Sequence, residues 1–264
     1  MRHSTRKYQA EDQIELFMFC SANILSIKIA SSDVGYPINV YGTVIARDSL
    51  DHKCIYLFRC DRRHSQLIKS EDKSLILIGP SRGLLLQDFI FLEVDLKIKG
   101  ERGQDKLLFR RLLEIDGRVV TRQNIEVRSV SRPSRLSIVE VEYAVVKKAM
   151  EATIEFQILK GDFFGKITAH TTSIPNKMLL YNSKRGGVVT SEDNGTIQLW
   201  RRVIAVSLNE MLIFNIEVSN GPAAASTREI SFTPQLNDAD EEEFFCGGVE
   251  FQVKVTWSVI DCYD

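Results

Sequence analysis

An internal duplication constrains this chain more than any other feature of its sequence. Tyr41-Gly42-Thr43-Val44-Ile45-Ala46 and Phe164-Gly165-Lys166-Ile167-Thr168-Ala169 share one pattern, aromatic, Gly, polar, β-branched, any, Ala, at an offset of 123 residues (41 to 164). Ser70-Glu71-Asp72 recurs as Ser191-Glu192-Asp193, an offset of 121 (70 to 191), each followed by a short apolar stretch read as a strand, Leu75 to Ile78 or Thr196 to Trp200. A third match aligns Phe91 to Gly100 with Leu212 to Gly221, again 121 apart. A unit of about 120 residues is the size of a domain, not of a solenoid repeat. The sequence therefore predicts two tandem copies of one domain.

The strand signals say what kind of domain. Ile24 to Ile29, Ile38 to Ala46, Cys54 to Phe58, Phe91 to Ile98, Ile154 to Leu159, Phe164 to Thr171, Val203 to Val206 and Gly248 to Val259 alternate apolar with polar residues or are rich in β-branched and aromatic ones. In the last of these, Val249, Phe251, Val253, Val255, Trp257 and Val259 fall at period two, which predicts one buried face and one wet face. Gly35 with Pro37, Gly79 with Pro80, Gly186 with Gly187, Asn194 with Gly195, and Asn220-Gly221-Pro222 punctuate the gaps as turns. The fold class is all-β: two tandem β-sandwich-like domains related by internal duplication, with few short helices. Lys106 to Leu113 has helical character, and Gly117 to Pro133, rich in polar residues and Arg, reads as a linker. Leu136 to Met150 reads either as an exit strand of the first copy or as a strand joined to the next, and the chain divides into an extension 1–23, a first copy 24–149 and a second copy 150–264.

With 44% hydrophobic residues the chain can bury two small cores or one large one. Its net charge of −1 conceals an asymmetry: up to Pro133 there are 22 Lys and Arg against 17 Asp and Glu, and beyond it 12 against 18. Parts of about +5 and −6 suit docking of one copy on the other, or a different partner for each. Five cysteines, an odd number, fit a reducing compartment. The apolar run Leu16 to Cys20 is too short to span a membrane. Acidic residues at Glu11, Asp12 and Glu15 follow closely on the basic start Arg2, His3, Arg6 and Lys7, which argues against organelle targeting. A cytoplasmic protein without a membrane partner is the expectation.

Several short blocks, in one order, carry a resemblance. Tyr36 to Gly42, Ala46-Arg47-Asp48, Leu50-Asp51, Tyr56 to Arg59, Gly79-Pro80, Arg82-Gly83 and Asp95 to Lys99 in the first copy resemble a grass-specific (Poaceae) family of domains of unknown function. In the second copy the same family is resembled by Glu151 to Ile154, Arg201-Arg202-Val203, Phe232-Thr233-Pro234 and the strand ending in Trp257-Ser258, so that the similarity covers Ile24 to Tyr263. A similar domain forms the C-terminal half of a cereal jasmonate-induced protein whose N-terminal half is a ribosome-inactivating N-glycosidase. That resemblance implies a setting of stress, defence, toxin control or translation. No helix expected in this chain carries the Glu and Arg two positions apart that depurination needs beside stacking tyrosines, so an N-glycosidase activity is not expected of it. Cap binding would need two aromatic planes, and of Trp200 and Trp257 the second belongs to an apolar strand face.

The chemistry-bearing residues are sparse. Arg59, Arg62 and Arg63, with Arg82, Arg110 and Arg111, make the densest basic set and are candidates for a partner or nucleic acid, with only Tyr56 and Phe58 interleaved. Phe244 and Phe245 beside Asp238, Asp240, Glu241, Glu242 and Glu243 are candidates for docking a basic partner, the acidic tract itself reading as a solvated loop. His52, Cys54, Cys60 and His64 hold metal-ligand chemistry without a closed zinc spacing. Asp33, Asp48 and Asp51 suit a calcium cup or, with Arg47 or Lys53, a turn. Gly79 to Gly83 lacks the Lys and following hydroxyl residue of a phosphate loop and reads as a turn between two strands, and no Ser or Cys sits in a motif that would hold it beside His170, whose mate in the first copy is Arg47. No catalytic residue, metal or cofactor is therefore assigned. The expected role is a non-enzymatic protein-binding module, with an RNA-, ribosome- or translation-linked module as the alternative and an edge-strand homo-oligomer as a further association.

Overall fold

The computed structural model of the chain describes residues 19–51, 53–70, 73–118, 127–192, 194–219, 225–236 and 238–260. The first unit contains β1 (Ser21–Ser32), β2 (Ile38–Arg47), β3 (Ile55–Cys60), β4 (Gln66–Ile68), β5 (Phe89–Ile98), β6 (Lys106–Asp116), β7 (Val127–Ser134) and β8 (Ser137–Val146). One sheet runs β1-β8-β7, the other β3-β2-β5-β6 with β4 also on β2. The second unit contains β9 (Ala149–Lys160), β10 (Asp162–Phe163), β11 (Gly165–Thr171), β12 (Met178–Asn182), β13 (Val189–Thr190), β14 (Val203–Ser207), β15 (Leu212–Val218), β16 (Ser226–Phe232), β17 (Ala239–Cys246) and β18 (Val249–Val259). Its sheets run β14-β9-β18-β17 and β12-β11-β15-β16, with β10-β13 a small third ladder. Helix among the described residues is confined to the turns Glu101–Gly103 and Ser183–Gly186.

The sheet orders superpose the two units strand for strand, β2, β3, β5 and β6 corresponding to β11, β12, β15 and β16, and β1, β8 and β7 to β9, β18 and β17. The place of β14 is taken in the first unit by an irregular segment: Ala22 N–H donates to the Leu84 carbonyl (3.3 Å) and Leu86 N–H to that of Cys20 (2.8 Å). Pairing also fixes the true offset of the third match. Ala46 faces Leu92 on β5, and its equivalent Ala169 faces Phe214 on β15, so Leu92 corresponds to Phe214, 122 residues on rather than 121. A slip of one residue turns a strand over. Leu92 and Phe214 are both buried, whereas Phe91 lies on the outer side of its strand.

The repeated glycine is explained by this pairing. A Cβ on Gly42 would overlap the Asp95 carbonyl oxygen of β5, and one on Gly165 the Glu217 carbonyl of β15, the equivalent neighbour. At both positions two backbones approach too closely for any side chain. Each unit then fills its own interior. The first core spans Ala22 to Val145 in sequence, the second Met150 to Trp257, where Phe156 meets Phe214 edge-on at 5.3 Å and Phe163 meets Phe251 in the same way.

Four expectations are corrected. Lys106 to Leu113 is strand β6, not helix: the register shift at Leu96/Lys97 leaves Leu108 unpaired as a bulge within β6, and three apolar residues in a row, Leu107-Leu108-Phe109, hide the period of two. The linker reading fails over Val127–Ser134, which is strand β7; its residues are exposed or half-buried, so they carry no apolar period. Residues 119–126 of that stretch lie outside the described residues. The chain passes between units at Lys147-Lys148, where Lys148 takes φ 46°. Leu75 to Ile78 and Thr196 to Trp200 are irregular segments touching β1 and β9 through the isolated bridges Lys28 to Ser74 and Gln157 to Thr196, although Leu75, Leu77, Ile197 and Leu199 are buried as strand residues would be. The first strand begins at Ser21 rather than Ile24.

The two units share a junction. Leu85, Ala144, Val146, Ala149, Ile174, Ala205 and Ile260 form a third apolar cluster between them. Beside it the Asn23 side chain treats β14 as a neighbouring strand would: Nδ2 donates to the Ala205 carbonyl (2.7 Å) and Oδ1 accepts from Ala205 N–H (3.0 Å). Arg201 Nη1 donates to the Ile24 carbonyl (2.6 Å) and Gly83 N–H to Glu151 Oε2 (2.5 Å). Among the described residues, the apolar cluster and these hydrogen bonds to main-chain groups join the units.

Two substitutions test this. Asn23→Leu leaves two buried backbone groups of Ala205 without partners and should destabilise the chain by about 1 to 3 kcal/mol in urea unfolding. Gly165→Ala should lose about 1 to 3 kcal/mol through the forced separation of β11 from β15.

Candidate interaction surfaces

The six arginines singled out in the sequence do not make one patch. On the outer face of the β3-β2-β5-β6 sheet, Arg59, Thr43, Asp95 and Arg110 form a row, since Thr43 pairs with both Arg59 and Asp95, and Asp95 with Arg110. Arg110 closes on Asp95 Oδ2 through Nε (3.0 Å) and Nη2 (2.7 Å), and the Arg59 guanidinium lies 5.0 Å from the Tyr56 ring centroid. Arg111, one residue along β6, points to the other side and borders a cleft with Asp33 and Arg135. Arg63 is exposed.

Arg62 and Arg82 are structural. Arg62 Nε reaches both oxygens of Asp105 (3.1 and 2.8 Å) and Nη2 the Gly100 carbonyl (3.0 Å), while Tyr41 Oη donates to the same carboxylate (2.6 Å). Arg62 first and Tyr41 second hold the Asp105 carboxyl far below the usual carboxylate range. Arg82 bridges Asp48, at 2.7 and 2.8 Å, and Asp51, at 2.9 Å, and Asp48 also accepts from Leu85 N–H (2.7 Å). The turn reading of Asp48 and Asp51 therefore describes the geometry, with Arg82 as the main cation and Lys53 near Asp51 at 3.5 Å. Asp33 precedes β2 and Asp48 follows it, ten residues of strand apart. At about 3.3 Å per residue they sit at opposite ends of the sandwich and cannot share a cation.

The other polar candidates are likewise held by local bonds. His52 lies outside the described residues. Cys60 Sγ contacts the His64 carbonyl (2.9 Å), and His64 Nδ1 lies 2.9 Å from Asp61 Oδ2, which lowers the Asp61 pKa to about 2. Among the described residues no three His, Cys, Asp or Glu side chains are grouped to hold a metal, and Cys20, Cys54, Cys60 and Cys246 are free thiols. His170 is half-buried on β11; burial pushes its pKa down, and its Nδ1 has no partner among the described residues.

The acidic tract is not a loop. It forms β17, the terminal strand of its sheet, paired only with β18 in that sheet. Alternation divides its residues between two faces. Asp240 accepts from the buried Trp257 indole Nε1 (3.0 Å), and Phe244, 4% exposed, stacks on Phe251 at 5.1 Å between centroids. Glu241, Glu243 and Phe245 face outward; Glu241 pairs with Lys254 (3.1 Å), and Phe245 is 66% exposed. Of the two phenylalanines, only Phe245 leaves its ring exposed. The period of two in Asp240, Glu242, Phe244 and Cys246 was the available signal for a strand, masked by acids where apolar residues mark most strands.

Phe244→Ala should therefore lose about 3 to 5 kcal/mol of stability, and Phe245→Ala should change it by less than about 0.5 kcal/mol in the same denaturant titration. A second prediction concerns acid. Asp105 is ionised to lower pH in the folded chain than in the unfolded one, so its contribution is complete above the unfolded value near 4 and is lost as pH falls below it. Arg62→Ala should make the fall of the thermal midpoint between about pH 4.5 and 2 shallower than in the parent protein.

Comparison with known proteins adds a family and a set of distant structures. A family model described as "Domain of unknown function (DUF6598)" matches residues 21–255. No match is found among curated proteins. The tandem C2 domains of Extended-Synaptotagmin 2 are 8% identical, with 94% of this chain and 93% of that chain covered and a TM-score of 0.30. Human GIVD cytosolic phospholipase A2 is 11% identical at a TM-score of 0.26; the match covers 90% of this chain, which spans 32% of the phospholipase. At these TM-scores neither likeness supports a functional argument. No helix among the described residues is long and apolar enough to cross a membrane.

Proposed function

The chain belongs to the DUF6598 family, a domain of unknown function, and we propose that it is a non-enzymatic module that binds another protein through the outer edge of its second unit. The observation that carries this reading is Phe245, 66% exposed on a terminal strand. An open strand edge offers unpaired backbone groups to an extended segment, and an exposed aromatic ring is the kind of anchor that dominates interfaces. Glu243 beside it favours a partner segment bearing Lys or Arg. The resemblance to the C-terminal half of a cereal jasmonate-induced protein supports a setting in plant stress, defence or toxin control, and a cytoplasmic location suits the unpaired thiols.

An RNA-binding role would fall to Arg59, Arg63 and Arg111, because Arg62, Arg82 and Arg110 are already bound to carboxylates. One experiment separates the readings. A photo-crosslinking residue is placed at Phe245 or, in a second protein, at Arg63, and adducts formed in plant extract are identified by mass spectrometry with and without nuclease. The protein reading expects a nuclease-resistant adduct at Phe245 that the Glu243→Lys change abolishes. Adducts confined to Arg63 and lost with nuclease would replace it with the RNA reading.

A further inference from the structure

Arg201 is the most deeply buried charged residue among the described residues, 1% exposed. Its guanidinium has only neutral acceptors: Nη1 donates to the Ile24 carbonyl (2.6 Å), Nε to that of Val203 (3.4 Å), and Nη2 has no acceptor among the described residues. Burial pushes its pKa down to about 10, so the group is a cation at neutral pH. A buried cation without a counter-charge is among the most unfavourable arrangements a fold can retain, and an unsatisfied buried donor calls for a specific cause.

The surroundings supply one. Arg201 is part of the wall of a cleft of about 200 Å³ at the junction of the two units. Leu25 and Leu77 of the first unit and Leu179 of the second make apolar walls, and Lys177, exposed at the surface, adds a second positive charge. Among the described residues no Asp or Glu lines the cleft. The carboxylate of Glu142, behind Ser26 on the rim, is occupied by Ser26 Oγ (3.2 Å), Asn176 Nδ2 (3.4 Å) and Lys28 Nζ (3.9 Å). Apolar walls with a few convergent polar groups between two domains are the usual form of a small-molecule site.

We propose that this cleft binds a small organic carboxylate with an apolar body, the carboxylate group meeting Lys177 and Arg201 and the body lying against Leu25, Leu77 and Leu179. The site is distinct from the β17 edge and does not depend on the protein-binding reading. A bound carboxylate would neutralise the buried guanidinium and touch both units, so occupancy would tighten their docking.

Hexanoate is the probe, with hexan-1-ol and inorganic phosphate as controls that carry only the apolar body or only the charge. Titration calorimetry of the full chain should show hexanoate binding with a Kd on the order of 1 mM, well ahead of both controls. Arg201→Met and, separately, Lys177→Glu should each weaken it by about tenfold or more. Lys177 is exposed, so its variant keeps the test decisive even where Arg201→Met does not fold. Failure of hexanoate to bind, equal binding of hexan-1-ol or phosphate, or hexanoate binding unchanged by Lys177→Glu would overturn the proposal.

Discussion

The hydrogen bonds between Asn23 and both main-chain groups of Ala205 link the two sandwiches backbone edge to side chain. An amide side chain presents a donor and an acceptor side by side, which is what a strand edge requires of a neighbour. Because Ala205 lies in the middle of β14, whose other side is paired to β9, this single residue closes an edge that would otherwise be open. The apolar cluster from Leu85 to Ile260 and the carboxylate of Glu151 on Gly83 N–H build on that closure. The irregular segment around Leu85 supplies part of the junction, and the true strand β14 supplies the other side. The duplicated position is thus the one at which the copies diverged in structure and at which they meet.

A common scaffold carries different electrostatics in its two copies. Lys28 and Gln157 hold equivalent places beside the isolated bridges to Ser74 and Thr196. In the first unit Lys28 and Ser26 close on Glu142, giving a sheet face whose polar groups satisfy one another. In the second, Gln157 faces Gln252 and Glu155 faces Lys254. Arg82, clamped by Asp48 and Asp51, and Arg201, surrounded by neutral carbonyls, show the same contrast in the interior. The first guanidinium is neutralised by its own unit, whereas the second has main-chain acceptors alone. Charge that is paired serves the fold, and charge left unpaired at a cleft or an edge is available to a ligand or partner.

Sequence reasoning reached furthest where a local rule decides the outcome. The eight expected strands, the glycines at 42 and 165 and the buried side of β18 all follow from period two and from close backbone approach. It failed where a local irregularity broke the period. A bulge disguised β6 as helix, exposure of an edge disguised β7 as a linker, and acidic residues disguised β17 as a loop. Its basic candidate set dissolved because Asp95, Asp105 and Asp48, each distant in sequence from the arginine it binds, take up half of it.

By itself, then, the sequence determined a duplicated all-β chain, because hydrophobic period and strand-compatible glycines are local properties that each residue carries wherever it lies. Tertiary structure alone decided the register of the third repeat, the partners of the arginines, the exposure of Phe245 against the burial of Phe244, and the burial of Arg201 at the junction. Those depend on which distant backbone or carboxylate arrives within about 3 Å, a matter of packing geometry that no window along the chain contains.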